Sequence, residues 1–255
     1  MALRCRPLKR DVGVLLPRVV ELLGAQHAQA LGDFEARVVG HDDVIDEPAL
    51  GGDERVGKAV LVTLGMRRRL LRIAEVAAKS GFDVTACEVT DEFLEKGEAR
   101  IRKSMERAVQ KEKLTAEDRD AALQRLSFTT DVSDLQDCDI VIEAIVEELE
   151  AKNALFGELD GLCGSGTIFA SNTSSLTITD LAAATSRADR FVGMHFFNPV
   201  PVLELVEVVK TVATDPQVFE TAVAFTQKLG KTPVRTSDRA GFIVNRLLVP
   251  YLLDA

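Results

Sequence analysis

The chain has 255 residues, 46% hydrophobic and 28% charged, enough apolar material to bury the core of one large domain or two modest ones. A formal net charge of −9 excludes an extended basic face for nucleic acid, and the absence of any uninterrupted apolar run of about 18 residues excludes a membrane-spanning helix. Cys5, Cys87, Cys138 and Cys163 form no C-x-x-C pair and His27, His41 and His195 are far apart, which excludes a zinc site or disulfide framework and leaves reduced thiols in a cytoplasmic protein.

In chain order, residues 1–55 carry no recognisable fingerprint and are expected to be an atypical appendage. Lys9, Arg10, Asp11 and Arg18 interrupt what would be the apolar core of a signal peptide. From Val56 onward, short β-type runs at 58–63, 82–88, 139–143, 167–171 and 190–195 alternate with helical patterns. The helices are expected at 91–112, after the N-cap Thr115, at 147–162, and at 216–229 with Gly230 as a stop. This alternation, with runs too apolar for one wet face, predicts an α/β fold: a Rossmann-like, doubly wound, mostly parallel sheet over residues 56–238. Residues 203–209 alternate charge with apolar side chains and predict a later, partly exposed strand. Residues 241–253 are almost wholly apolar, and 239–255 reads as the first helix of a truncated all-α domain, which needs cover.

Two strand ends bear on a dinucleotide. Glu88 closes the second strand, where an acid can accept hydrogen bonds from ribose hydroxyls, although a solvated strand-end acid looks the same in sequence. The turn before it should hold three glycines so that backbone can approach a pyrophosphate. Here it reads Thr63-Leu64-Gly65-Met66-Arg67-Arg68-Arg69-Leu70, and only Gly65 falls on a fingerprint glycine.

Further on, Asn172-Thr173-Ser174-Ser175 follows a strand with a polar cluster, suited either to orient a ligand or to cap the next helix. His195 ends the next apolar run. A lone histidine there is usually structural, but Glu207 lies twelve residues on, across a Pro199–Pro201 turn. A hairpin of that size can return the carboxylate to the imidazole and make a proton-transfer pair.

These residues carry a resemblance. Met194-His195-Phe196-Phe197-Asn198-Pro199, with Asn172-Thr173-Ser174-Ser175 before it and Gly241-Phe242-Ile243-Val244-Asn245-Arg246 after it, resembles the 3-hydroxyacyl-CoA dehydrogenase family, in the style of bacterial 3-hydroxybutyryl-CoA dehydrogenases. The similarity covers roughly residues 73–255. It implies an NAD-dependent oxidoreductase that moves a hydride from the 3-hydroxyl carbon of a 3-hydroxyacyl-CoA to NAD in fatty-acid or butyrate-type metabolism. His195 would be the general base and Glu207 its partner. Ser174 and Asn245 would contact the substrate oxygen or thioester, and Asn198 the substrate or nicotinamide region. Gly65, Glu88, Glu147 and Lys152 would hold the cofactor, and Lys103 the CoA phosphates. The resemblance also implies a homodimer if the helical domain were complete, and gives no role to nucleic acid, membrane or metal. The competing readings are an impaired remnant lacking a working phosphate turn and lid, and another hydroxyacid dehydrogenase on the same fold. The 172–175 loop and the His195/Glu207 spacing speak against the last.

Overall fold

The computed structural model describes residues 58–62 and 71–254. The expected appendage 1–55 and the turn containing Gly65 lie outside the described residues.

The described chain begins with β1 (Lys58–Val62), α1 (Leu71–Lys79) and β2 (Asp83–Cys87), a βαβ unit with its two strands parallel. Then come α2 (Asp91–Gln110), α3 (Ala116–Gln124) and β3 (Leu126–Thr129). A threonine stops the fraying of each helix start: Thr90 Oγ1 accepts from Phe93 N–H at 3.3 Å, and Thr115 Oγ1 from Asp118 N–H at 3.0 Å. β4 (Ile140–Glu143), α4 (Leu149–Leu162), β5 (Ile168–Ser171), α5 (Ile178–Ala182) and β6 (Phe191–Phe196) continue the alternation. β7 (Leu205–Lys210), α6 (Pro216–Lys228), β8 (Thr232–Ser237) and α7 (Val244–Asp254) complete it.

The strands form one sheet in the order β3-β2-β1-β4-β5-β6-β7-β8. All neighbours are parallel except β6 and β7, so β7 and β8 run against the rest. The first six positions follow the doubly wound 3-2-1-4-5-6 order, in which ligands sit beyond the carboxyl ends of the strands.

Strand alternation divides the core into two faces. Ile140, Ile142, Ile168, Ala170, Val192, Met194, Val206 and Val208 pack with α1 and α6 on one side. Val141, Phe169, Phe191 and Val209 pack with α4 and α5 on the other. There Phe156 meets Phe191 edge-on, with ring centroids 4.6 Å apart, a contact contributing about 0.5–1.5 kcal/mol beyond its buried area.

Three expectations change. The strand expected to be partly exposed is Leu205–Lys210, and all of it but Lys210 is buried, because β6 and β8 flank it and helices cover both faces. β3 and β8 escaped the sequence reading: β3 is four residues long and only partly buried, and β8 carries Pro233 and Arg235. The apolar stretch from Gly241 is not helical throughout. Gly241 and Phe242 have φ of +75° and +51°, so they form a left-handed turn, and the helix starts at Val244. The cover that this apolar helix needs is not supplied by the described residues: Val249, Leu252 and Leu253 are exposed.

Candidate active site

Period-two alternation places four polar side chains on the α4/α5 face, near the carboxyl ends of β4, β5 and β6. Glu143 pairs in register with Ser171, Ser171 with Gly193, and His195 with Glu207. Because β7 runs antiparallel to β6, Glu207 stands directly across from the imidazole. His195 Nδ1 and Glu207 Oε2 are 2.7 Å apart, both residues buried. Phe197 and Phe242 flank the imidazole, with centroids 4.5 and 5.7 Å away. A carboxylate at Nδ1 fixes the tautomer and leaves Nε2 as the atom able to take or return a proton.

Gly193, two residues before His195, was not singled out from sequence. A Cβ there would lie 2.8 Å from Ile178 Cδ1 and 2.9 Å from Val209 Cβ. Only glycine lets α5 approach the strand that carries the histidine.

A second cluster centres on Glu143, which closes β4 and also went unassigned in the sequence. Its Oε1 accepts from Lys152 Nζ at 2.5 Å and Ile145 N–H at 2.6 Å, and its Oε2 from Ser171 Oγ at 2.6 Å. Lys152, on the first turn of α4, is wholly buried. Its ammonium also lies 3.4 Å from Glu147 Oε2. Burying an ammonium is costly unless it is paired and hydrogen-bonded, as here. The signal available in sequence was an acid ending an apolar strand, the same pattern that drew attention to Glu88.

Glu147 organises the polar loop. Its Oε1 accepts from Thr173 Oγ1 at 2.6 Å, Ser174 N–H at 2.8 Å and Ser175 Oγ at 3.1 Å. Burial pushes its carboxyl up, but the bonds from Thr173 and Ser174 and the nearby Lys152 outweigh this and hold it below its ordinary range. Asn172 Oδ1 accepts from Phe196 N–H at 2.8 Å, tying the loop to the residue after His195. Asn245 Nδ2 donates to Ser174 O at 3.1 Å.

The structure therefore brings His195, Glu207, Ser174, Asn245, Glu147 and Lys152 into one connected network. Glu88 is buried just past β2, two strand spacings (about 10 Å) from β4. Asn198 is exposed in the loop joining β6 to β7. Lys103 is exposed on α2, about 18 Å along that helix from its start, and is not part of the network. Gly65 is outside the described residues.

Glu88, Glu147 and Lys152 lie past β2 and β4, the strands on either side of β1. Carboxylate acceptors placed there fit a dinucleotide, whose riboses offer hydroxyl donors, while Lys152, wholly buried against Glu143, backs Glu147 rather than opening onto a ligand. Among the described residues no group of three or more His, Cys, Asp or Glu can hold a metal, and no helix is long and apolar enough to cross a membrane.

Residues 71–239 match the family model described as the 3-hydroxyacyl-CoA dehydrogenase, NAD binding domain. The chain is 51% identical over 189 residues to the 3-hydroxybutyryl-CoA dehydrogenase of Mycobacterium tuberculosis (strain ATCC 25618 / H37Rv), covering 72% of this chain and 65% of that protein. It is 49% identical over 189 residues to the human mitochondrial hydroxyacyl-coenzyme A dehydrogenase, covering 72% of this chain and 60% of that one. The crystal structure of M. tuberculosis FadB2 superposes with a TM-score of 0.75 at 46% identity, over 79% of this chain and 70% of that chain. The chain thus spans somewhat less than two thirds of the length of these sequence relatives. The matched model, the sheet order and the buried histidine–glutamate pair agree: the chain belongs to the 3-hydroxyacyl-CoA dehydrogenase family and carries residues of its NAD-binding domain.

Proposed function

We propose that this chain performs the cofactor-binding and proton-transfer part of an NAD-dependent 3-hydroxyacyl-CoA dehydrogenase. The observation that carries the reading is the buried His195–Glu207 pair at 2.7 Å. NAD, when bound, supplies the hydride acceptor. His195 Nε2 takes the proton of the substrate 3-hydroxyl during oxidation and returns it during ketone reduction, while Glu207 stabilises the imidazolium. Such assistance contributes about 10²–10⁴ in rate. Ser174 and Asn245 orient the substrate oxygen or thioester, and Asn198 contacts the substrate or nicotinamide end. Glu88 and Glu147 hold the cofactor riboses, Lys152 supports Glu147 from beneath, Gly65 serves the phosphates, and exposed Lys103 meets the CoA phosphates.

The same reading divides the chain into an appendage (1–55), a cofactor domain (56–238) and the start of a helical unit (239–255), which in its complete form would pair two copies. It places the protein in the cytoplasm, in keeping with buried free thiols at Cys87, Cys138 and Cys163.

The test is NADH formation from 3-hydroxybutyryl-CoA and NAD by the chain as given, with an NADH fluorescence titration alongside. Turnover abolished by His195→Gln is the expected result. Cofactor binding without turnover on any 3-hydroxyacyl-CoA would overturn it. One feature favours a second reading, an impaired remnant: Arg67 and Leu70 stand where two fingerprint glycines belong. No NADH binding at millimolar cofactor would establish that reading instead.

A further inference from the structure

Glu207 has a second set of partners. While Oε2 faces His195, Oε1 accepts from the backbone N–H groups of Ile243 and Val244, both at 2.9 Å. These amides open α7, where helix N–H groups have no partner inside the helix. Helix starts are usually capped by a side chain just ahead of them. Here the cap is a fully buried glutamate reaching from β7, and the same carboxylate orients the histidine.

A tightly specified turn delivers the amides. Gly241 and Phe242 both adopt left-handed backbone, and Phe242 N–H donates to Arg239 O at 2.8 Å. A Cβ on Gly241 would lie 2.9 Å from Arg246 N and 3.3 Å from its Cα, so position 241 combines positive φ with no room for a side chain. Phe242 plugs the turn onto the sheet, 1% exposed, with its ring against the imidazole. Ahead of the turn, Asp238 accepts from Ile178 N–H at 2.9 Å and Thr179 N–H at 2.7 Å. Behind it, Asn245 is bonded to Ser174. Of the other charged groups on β7, β8, the turn and α7, Asp238 is thus committed to α5, Lys210 Nζ lies over the Phe219 ring at 5.5 Å, Arg235 donates to Glu220 at 2.7 Å, and Arg239, Arg246 and Asp254 are exposed.

We propose that Gly241 and the amides of Ile243 and Val244 are positioning groups for the proton-transfer pair, setting the basicity of His195 through Glu207. Two N–H donors and the positive end of α7 share the Glu207 carboxylate and draw its charge away from the ring. The imidazolium is then stabilised less than by a carboxylate without those donors. If α7 withdraws, Glu207 loses both donors, its full charge falls on the ring, and the imidazolium form gains. The availability of the base is thereby tied to the placement of α7. This rests on His195 being the base; the coupling itself does not require turnover.

The experiment follows the imidazole titration of His195 by NMR in the full chain, with its resonances assigned by their loss in His195→Gln. Gly241→Ala should raise the titration midpoint by about half a pH unit or more. A second variant replaces the Ile243–Val244 peptide bond by an ester, which deletes the Val244 N–H and keeps its shape. It should shift the midpoint the same way, by less, and it decides the matter if Gly241→Ala does not fold. In an active chain the rising limb of the kcat/KM profile for oxidation should move to higher pH in step. An unchanged or lowered midpoint in the folded ester variant overturns the proposal. A raised midpoint in a chain that shows no turnover supports the coupling while removing the proposed activity.

Discussion

Lys152 and Glu143 are both sealed from solvent, with the ammonium nitrogen 2.5 Å from Glu143 Oε1. The pair joins the first turn of α4 to the end of β4, and Ser171 extends it to β5. It supports the loop that Glu147 organises, and so the geometry around His195. Glu143→Gln keeps the shape but leaves the buried ammonium with Glu147 alone, 3.4 Å away. Removing one member of a buried ion pair costs about 3–5 kcal/mol, whereas replacing both is often close to neutral. The double variant Glu143→Gln/Lys152→Met should therefore be more stable to urea than Glu143→Gln alone. Equal or lower stability in the double variant would show that the charge pairing is not what holds this corner.

The imidazole of His195 is buried between Phe197 and Phe242 and bonded to Glu207. His195→Gln retains a polar group of similar reach but no base. Turnover should fall about 10²–10⁴-fold with substrate binding largely kept. A variant with near-normal kcat would remove His195 from the reaction.

Gly193 lies where a methyl group would press into Ile178 and Val209. Gly193→Ala should destabilise the fold by about 1–3 kcal/mol, through overpacking next to the strand residue that bears the base. Adding Ile178→Val removes the Cδ1 contact at 2.8 Å and should restore part of the loss. Thermal unfolding of the single and double variants reads this directly; no loss in Gly193→Ala would refute it.

Acid should weaken the fold at two named carboxylates. Burial raises both, but hydrogen bonds and a cation outweigh it. Glu147 is held below its ordinary 4.5 by Thr173, Ser174 and Lys152, and Asp160 below its ordinary 3.8 by Ser186 and Arg187. A depressed folded value means that the unfolded chain binds more protons in the window between the two values. The stabilisation is complete above the ordinary value and is lost as pH falls through the folded one. The unfolding midpoint should drop between about pH 6 and pH 3, and Glu147→Gln should flatten its share of that slope. An unchanged slope in Glu147→Gln would show that the loop bonds do not favour the charged form.

Much of this protein was legible in its sequence, because local patterns carry the information. Apolar runs alternating with amphipathic stretches marked five of the parallel strands, and Thr115 and Gly230 marked a helix start and stop through backbone preferences that neighbours do not alter. The spacing of His195 and Glu207 across a proline turn foretold a hairpin, since twelve residues leave few other ways to bring the two side chains together. The tertiary structure alone decided the rest. Glu143 and Lys152 are nine residues apart, and nothing local distinguishes them from a solvated acid and a solvated base; only the packing of α4 on the sheet excludes water and makes them a pair. Gly193 is required by Ile178, a contact between separate elements. Phe242 reads as part of an apolar helix until the left-handed turn places it against the imidazole. The two backbone amides on Glu207 have no side-chain signature at all: they become partners because β8 ends beside the hairpin and the following turn folds α7 back onto it, giving a buried carboxylate the donors it needs.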